Sequence, residues 1–95
     1  MSEITVSISY FNILASYAGT RKVEVSLPEG ATLRHVVEHL DKNASQQLHQ
    51  VLFQKGEFSK YIKIFLNQQL VGEGRLETPL KNGDEMMIFP AIAGG

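Results

Sequence analysis

Residues 3 to 10 alternate strictly between apolar and polar side chains, which is the pattern of a strand with one buried face. A second alternating run extends from Lys22 to Leu27, and the residues between the two runs lose the pattern. The two runs predict an antiparallel hairpin with a long connection, in which residues 13 to 17 form a short helical turn. The apolar set of the first strand is Ile4, Val6, Ile8 and Tyr10.

The next segment has the spacing of an amphipathic helix. Thr32 is a suitable N-cap, because its hydroxyl can accept a backbone N–H of the first helical turn. Residues 43 to 56 show a weaker repeat that predicts a shorter helix or an irregular turn, and residues 54 to 60 are predicted to form a polar connection. The apolar stripe of the main helix, which we expect to pack against a sheet, is Leu33, Val36, Val37 and Leu40.

Alternation returns from Tyr61 to Asn67 and predicts a third strand, followed by a turn and a short strand at Leu70 and Val71. The pair Asn82-Gly83 permits positive φ at both central positions of a tight turn. The last strand is predicted to extend from residue 85 to residue 92, with a proline at position 90 limiting further pairing. It has apolar side chains on both faces, which indicates a central position or an outer face used by a partner.

The order of these elements predicts an α+β domain, in which one main helix packs on one face of a mixed sheet. The 95 residues are enough for one domain, and 43% hydrophobic with 20% charged residues is an ordinary globular composition. A core of this size leaves little room for a buried small-molecule active site. We expect the folded domain to cover residues 1–89 and an extended tail to cover residues 90–95.

The composition also restricts the possible partners. A net charge of -1 gives no basic footprint for nucleic acid. Because the chain has neither a spanning apolar run nor a signal-like start, we expect a cytoplasmic protein without a membrane partner. The absence of cysteine excludes disulfides, thiolate metal sites and a cysteine nucleophile. His35 and His39 have i, i+4 spacing, but without a third ligand they are expected on a solvated helix face, so no metal site or bound cofactor is predicted.

The chain ends in an uncharged stretch, Pro90-Ala91-Ile92-Ala93-Gly94-Gly95, directly after the last predicted strand. Together with Leu80, the turn Gly83-Asp84-Glu85 and the apolar residues 86–89, this ending resembles the β-grasp sulfur-carrier family of the MoaD/ThiS type over nearly the whole chain. The resemblance implies a ubiquitin-like fold. It also implies that Gly95 is adenylated and then converted to a thiocarboxylate that donates sulfur in biosynthesis.

The resemblance further implies a sulfur-carrying co-substrate without catalytic residues of its own. Gly94, Ala93 and Ile92 would thread into a narrow channel of a partner, where glycine avoids the collision that a Cβ would cause. An E1-like adenylyltransferase would use ATP and Mg²⁺, and a sulfurtransferase or another donor would supply the sulfur. The acceptor would be a synthase, such as the large subunit of molybdopterin synthase or a cysteine synthase.

Phe65, Met87 and Phe89 are candidates for a partner-facing surface, with core packing as the alternative. Ala91 stands where many pterin-pathway members have a second proline, and the segment from residue 45 to residue 61 is longer than in the shortest carriers. The receiving pathway is therefore open. Two other function classes also remain: a ubiquitin-like modifier conjugated to lysines through Gly95, and a plain β-grasp interaction module that uses a sheet face.

Overall fold

The computed structural model describes residues 2–11, 13–59, 61–71 and 76–90. No helix in these ranges is long and apolar enough to cross a membrane. The elements follow one another as β1 (Glu3–Tyr10), α1 (Ile13–Ala18), β2 (Lys22–Pro28), α2 (Leu33–Asn43), α3 (Gln46–Leu52), β3 (Phe53–Gln54), β4 (Glu57–Phe58), β5 (Ile62–Leu66), β6 (Gln69–Val71) and β7 (Glu85–Pro90).

Five strands form one mixed sheet in the order β2-β1-β7-β5-β6. β1 pairs antiparallel with β2, which confirms the predicted hairpin, and α1 lies in its long connection. β7 lies between β1, to which it is parallel, and β5, to which it is antiparallel. Ile88 is opposite both Tyr10 and Ile64. Of the two alternatives given for the last strand, the central position is correct.

The core fills the space between the sheet and the helices. On α2, Leu33, Val36 and Leu40 are buried, whereas Val37 is half-buried at the margin of the predicted stripe. Full burial of a side chain of this size contributes about 1.5–3 kcal/mol, so this layer supplies much of the stability. The side chains with almost no exposed surface come from both layers: Val6, Ile8, Leu14, Leu33, Val36, Leu52, Met86 and Ile88.

Thr32 is the N-cap of α2, as predicted. The Thr32 N–H donates to Nδ1 of His35 at 2.9 Å, so this imidazole nitrogen takes the acceptor role that a glutamate or glutamine has in a capping box. The His35 side chain therefore caps the first turn of α2. The described ranges contain no group of three or more His, Cys, Asp or Glu residues that could hold a metal ion.

Of the two alternatives for residues 43 to 56, the shorter helix is correct, and Ser45 is its N-cap. Its hydroxyl accepts the Leu48 N–H at 3.2 Å and donates to the Tyr17 carbonyl at 2.7 Å, which ties α3 to α1. The polar connection predicted for residues 54 to 60 is wrong over its first part. β3 and β4 form a two-stranded hairpin, because Lys55 and Gly56 both take positive φ, 53° and 80°, as a type I′ turn requires.

Candidate functional site

The predicted sulfur-carrying residue, Gly95, and the threading residues Gly94, Ala93 and Ile92 lie outside the described residues. So does the end of the predicted last strand beyond Pro90. The structure describes the strand that leads to them, and its final residue, Pro90, is opposite Ile62 of β5. The site is therefore built from the sheet around the end of β7.

Three aromatic rings meet at this end of the sheet. The Phe11 and Phe89 rings are stacked, with centroids 4.3 Å apart and planes at 3°. The Phe65 ring meets Phe89 edge-on, at 5.3 Å and 73°. Aromatic pairs in such arrangements contribute about 0.5–1.5 kcal/mol beyond their burial. Phe89 is therefore held between one ring from the end of β1 and one from β5.

Met87 and Leu70 extend this group across the outer face of the sheet, the face opposite the core. Both are opposite Phe65, Met87 on β7 and Leu70 on β6. Leu70 is 58% exposed, and the other members are half-buried. These residues form what we call the outer apolar patch: Phe11, Phe65, Leu70, Met87 and Phe89.

The structure thus brings together all three residues predicted as partner-facing, and none of them belongs to the buried core. Exposed Lys63, opposite Phe89, and exposed Glu85 at the start of β7 give the outer apolar patch a charged rim. The prediction missed Phe11 and Leu70. Phe11 could have been found, because it continues the outward alternation of β1 by two residues beyond Ser9.

The opposite end of β7 is fixed by a polar network. Asn67 Oδ1 accepts the Glu85 N–H at 2.9 Å, and Asn67 Nδ2 donates to Asp84 Oδ1 at 2.9 Å. The other oxygen of Asp84 accepts the Lys81 N–H at 2.8 Å. These contacts give the Gly83-Asp84-Glu85 turn a physical role, because they fix the start of β7 against the end of β5.

The turn at Asn82-Gly83 uses only one of the two positive φ angles that this pair permits. Gly83 takes positive φ, 90°, but Asn82 does not. Instead, Asn82 Oδ1 accepts the Thr5 N–H at 2.8 Å, and the Gly83 N–H donates to the Thr5 carbonyl at 2.8 Å. The turn leads into β7, which is parallel to β1. Its hydrogen bonds to Thr5 therefore hold the turn against β1.

Apart from the charged rim, other ionisable groups with described interactions lie away from the outer apolar patch. Burial raises the pKa of the Tyr10 phenol, but this residue belongs to the core on the inner face. The His49–Asp41 contact, with Nε2 and Oδ1 at 2.6 Å, joins α3 to α2 on the helical side. The described part of the site therefore consists mainly of the outer apolar patch, which lies next to Pro90.

Among curated proteins, the chain is 38% identical over 69 residues to an Archaeoglobus fulgidus protein named as a candidate sulfur carrier, which covers 70% of this chain and 77% of that one. It is 32% identical over 95 residues to the sulfur carrier protein CysO of Mycobacterium tuberculosis, which covers 97% of this chain and 100% of the relative.

Solved structures share the fold. The small archaeal modifier protein 1 of Methanosarcina acetivorans matches with a TM-score of 0.81 and 27% identity over 100% of both chains. A chain of the Amycolatopsis orientalis BexX/CysO complex matches with a TM-score of 0.71 and 28% identity, over 95% of this chain and 99% of that one. These matches confirm the ubiquitin-like β-grasp fold. The model of the ThiS family matches residues 8–95, and the chain therefore belongs to this family of β-grasp sulfur carrier proteins.

Proposed function

We propose that this protein carries sulfur as a thiocarboxylate on Gly95. The observation that supports the proposal most is the position of β7, a central strand held by neighbours on both sides, which leads directly into residues 90–95. The match to the family model extends to Gly95, and the relative CysO is a sulfur carrier protein. The protein is then a co-substrate, and its reactive group is a backbone carboxylate rather than a side chain.

The proposed chemistry has two stages. A carboxylate oxygen of Gly95 attacks the α-phosphorus of ATP, which forms an acyl-adenylate and releases pyrophosphate. Sulfide then attacks the acyl carbon and expels AMP, which leaves the thiocarboxylate. A persulfide donor attacks in the same way but gives an acyl disulfide, from which a thiol releases the thiocarboxylate by attacking the donor's sulfur and forming a disulfide with it. The partner adenylyltransferase supplies Mg²⁺ and the groups that stabilise the developing charge. Because ATP is the activating substrate, we assign the reaction to the cytoplasm.

We further propose that the outer apolar patch docks on the adenylyltransferase. The patch ends at Phe89, one residue before the start of residues 90–95, so an enzyme that binds it is placed beside the carboxylate-bearing end of the chain. Burial of aromatic side chains with a charged rim is typical of the centre of protein interfaces. The related chain that forms a complex with BexX supports a function that depends on partner proteins.

The experiment is a reconstitution followed by mass spectrometry of the intact protein. Incubation with ATP, Mg²⁺, the adenylyltransferase encoded by the same genome and sulfide should add the mass of one sulfur minus one oxygen. Gly95→Val is the matched control: it should leave the free energy of unfolding within about 0.5 kcal/mol of the parent value, yet abolish the mass change. An unchanged mass for the unsubstituted protein with active enzyme would contradict the proposal.

The Methanosarcina modifier protein favours a second candidate function, in which Gly95 forms isopeptide bonds with lysines. This predicts ATP-dependent conjugates of higher mass that disappear when Gly95 is deleted. A plain interaction module would instead function equally well without Gly94 and Gly95. The acceptor of the sulfur, whether a pterin precursor, an activated serine derivative or a thiazole precursor, is best identified from the proteins that co-purify with the chain.

A further inference from the structure

We infer that Phe11 is a positioning residue for the activation of Gly95. This inference rests on the proposed function and concerns the tail root, by which we mean Phe89 and Pro90, the last two residues that the structure describes. Phe11 lies immediately after β1, more than seventy positions away in the sequence, yet its ring covers the ring of Phe89. Phe11 therefore holds the segment from which the chain continues toward Gly95.

In the described ranges, β7 is paired through the tail root on the β5 side but only as far as Ile88 on the β1 side. On the β1 side, the last described pair is Tyr10 opposite Ile88, and the Phe11 N–H donates to the Ile88 carbonyl at 3.2 Å. On the β5 side, the last described pair is Ile62 opposite Pro90, and Pro90 has no N–H to donate.

Side-chain packing supports the tail root in addition to the pairing with β5. The Phe11 ring is stacked on the Phe89 ring, with planes at 3°. The Phe65 ring supports Phe89 from the β5 side. A ring held on a face and on an edge is restricted in rotation as well as in position. The Phe11 stack therefore sets the orientation of the tail root, from which the chain continues toward Gly95.

This orientation matters because the remaining segment is short. When the outer apolar patch is docked, residues 91–95 must bring the carboxylate to the α-phosphorus of ATP, and five fully extended residues reach at most about 17 Å. A segment threaded through a narrow channel has little slack with which to correct a displaced start. A misplacement of about 1 Å can reduce a rate by about a hundredfold, even when it originates far from the reacting atoms.

The test measures adenylation of the full chain by pyrophosphate release with the partner adenylyltransferase. Phe11→Ala is expected to lower kcat by about tenfold or more, because the reacting group is misplaced, and also to raise KM, because Phe11 is a member of the outer apolar patch. Phe11→Tyr retains the flat ring and should restore kcat. Phe11→Leu keeps an apolar side chain without the stack and should lower kcat in the same direction, which covers the case in which the alanine variant does not fold.

Two further variants separate positioning from docking and from stability. Leu70→Ala removes a member of the outer apolar patch that is outside the ring stack, and it should raise KM without lowering kcat. Val51→Ala removes a half-buried side chain from α3 on the helical side, so it should lower the melting temperature and leave both kinetic constants unchanged. If Phe11 contributed only to stability, Phe11→Ala would likewise lower the melting temperature and leave kcat and KM unchanged.

A second readout needs no enzyme. The amide order parameter of Phe89 in the free protein should be near 0.85 with Phe11 present and should fall toward 0.6 in Phe11→Ala, since values of about 0.85 and below about 0.6 mark rigid and flexible backbone. An unchanged order parameter, an unchanged kcat or an effect confined to KM each overturns the inference while the proposed function stands. If the unsubstituted protein forms no adenylate, the proposed function itself fails.

Discussion

Replacing Asn67 with alanine is the sharpest test of how β7 is held. Asn67 has φ of 50°, and its side chain makes one hydrogen bond to the Glu85 N–H and one to the Asp84 carboxylate. Each of these hydrogen bonds contributes about 1 kcal/mol. The bond to the Asp84 carboxylate is given no larger value, because the site is exposed to solvent. Alanine in the left-handed region adds a penalty of about 1 kcal/mol.

The expected loss is therefore about 2–3 kcal/mol in the free energy of unfolding, measured by urea titration with the circular dichroism signal. For a domain of this size, that loss corresponds to a drop in melting temperature of about 10–20 °C. The control is Asn67→Gly, which loses the same two hydrogen bonds without the backbone penalty and should be more stable than Asn67→Ala by about 1 kcal/mol. An Asn67→Ala variant within about 0.5 kcal/mol of the parent would refute the role assigned to the network.

Three further predictions concern a turn, the helix and a buried phenol. Gln68→Gly should stabilise the protein by about 1 kcal/mol, because Gln68 has φ of 73° in the β5–β6 turn; a lower melting temperature would contradict this. Val36→Asp should abolish the cooperative melt, whereas Val37→Asp should retain one at lower temperature, because only Val36 is fully buried. Burial raises the pKa of Tyr10, so the folded protein keeps a proton that the unfolded chain releases above about pH 10, and stability should fall as the pH rises through that region; Tyr10→Phe should lessen this fall in urea titrations at successive pH values.

Long periodic segments made most of the fold predictable from the sequence. The alternation of residues 3 to 10 identified the inner face of β1 correctly, since Ile4, Val6, Ile8 and Tyr10 are all buried. The apolar residues on both faces of the last strand indicated either a central position or a partner-facing surface, and the central position is correct. These patterns predict structure well because a whole face of a helix or strand is buried together, so many residues give the same indication of its type and orientation.

What the sequence did not reveal depends on single residues or on contacts between distant positions. The β3–β4 hairpin has two residues in each strand, too few for a period, and Lys55 takes a positive φ that its residue type disfavours. The exposure of Val37 depends on how α2 is rotated against the sheet. Phe11 stacks on Phe89 although the two residues are far apart in the sequence, so no pattern within a short stretch of sequence predicts the contact.

The parallel pairing of β1 with β7 has a consequence for how the protein is made. These strands lie at opposite ends of the described chain, and Met86 and Ile88 of β7 have no exposed surface in the core. A nascent chain that has not yet released β7 from the ribosome lacks the middle of its sheet and cannot complete the domain. Contacts between residues so far apart in sequence also make folding slow. β7 is the last described strand to emerge, and a partner that recognises the outer apolar patch can bind only after β7 has joined the sheet.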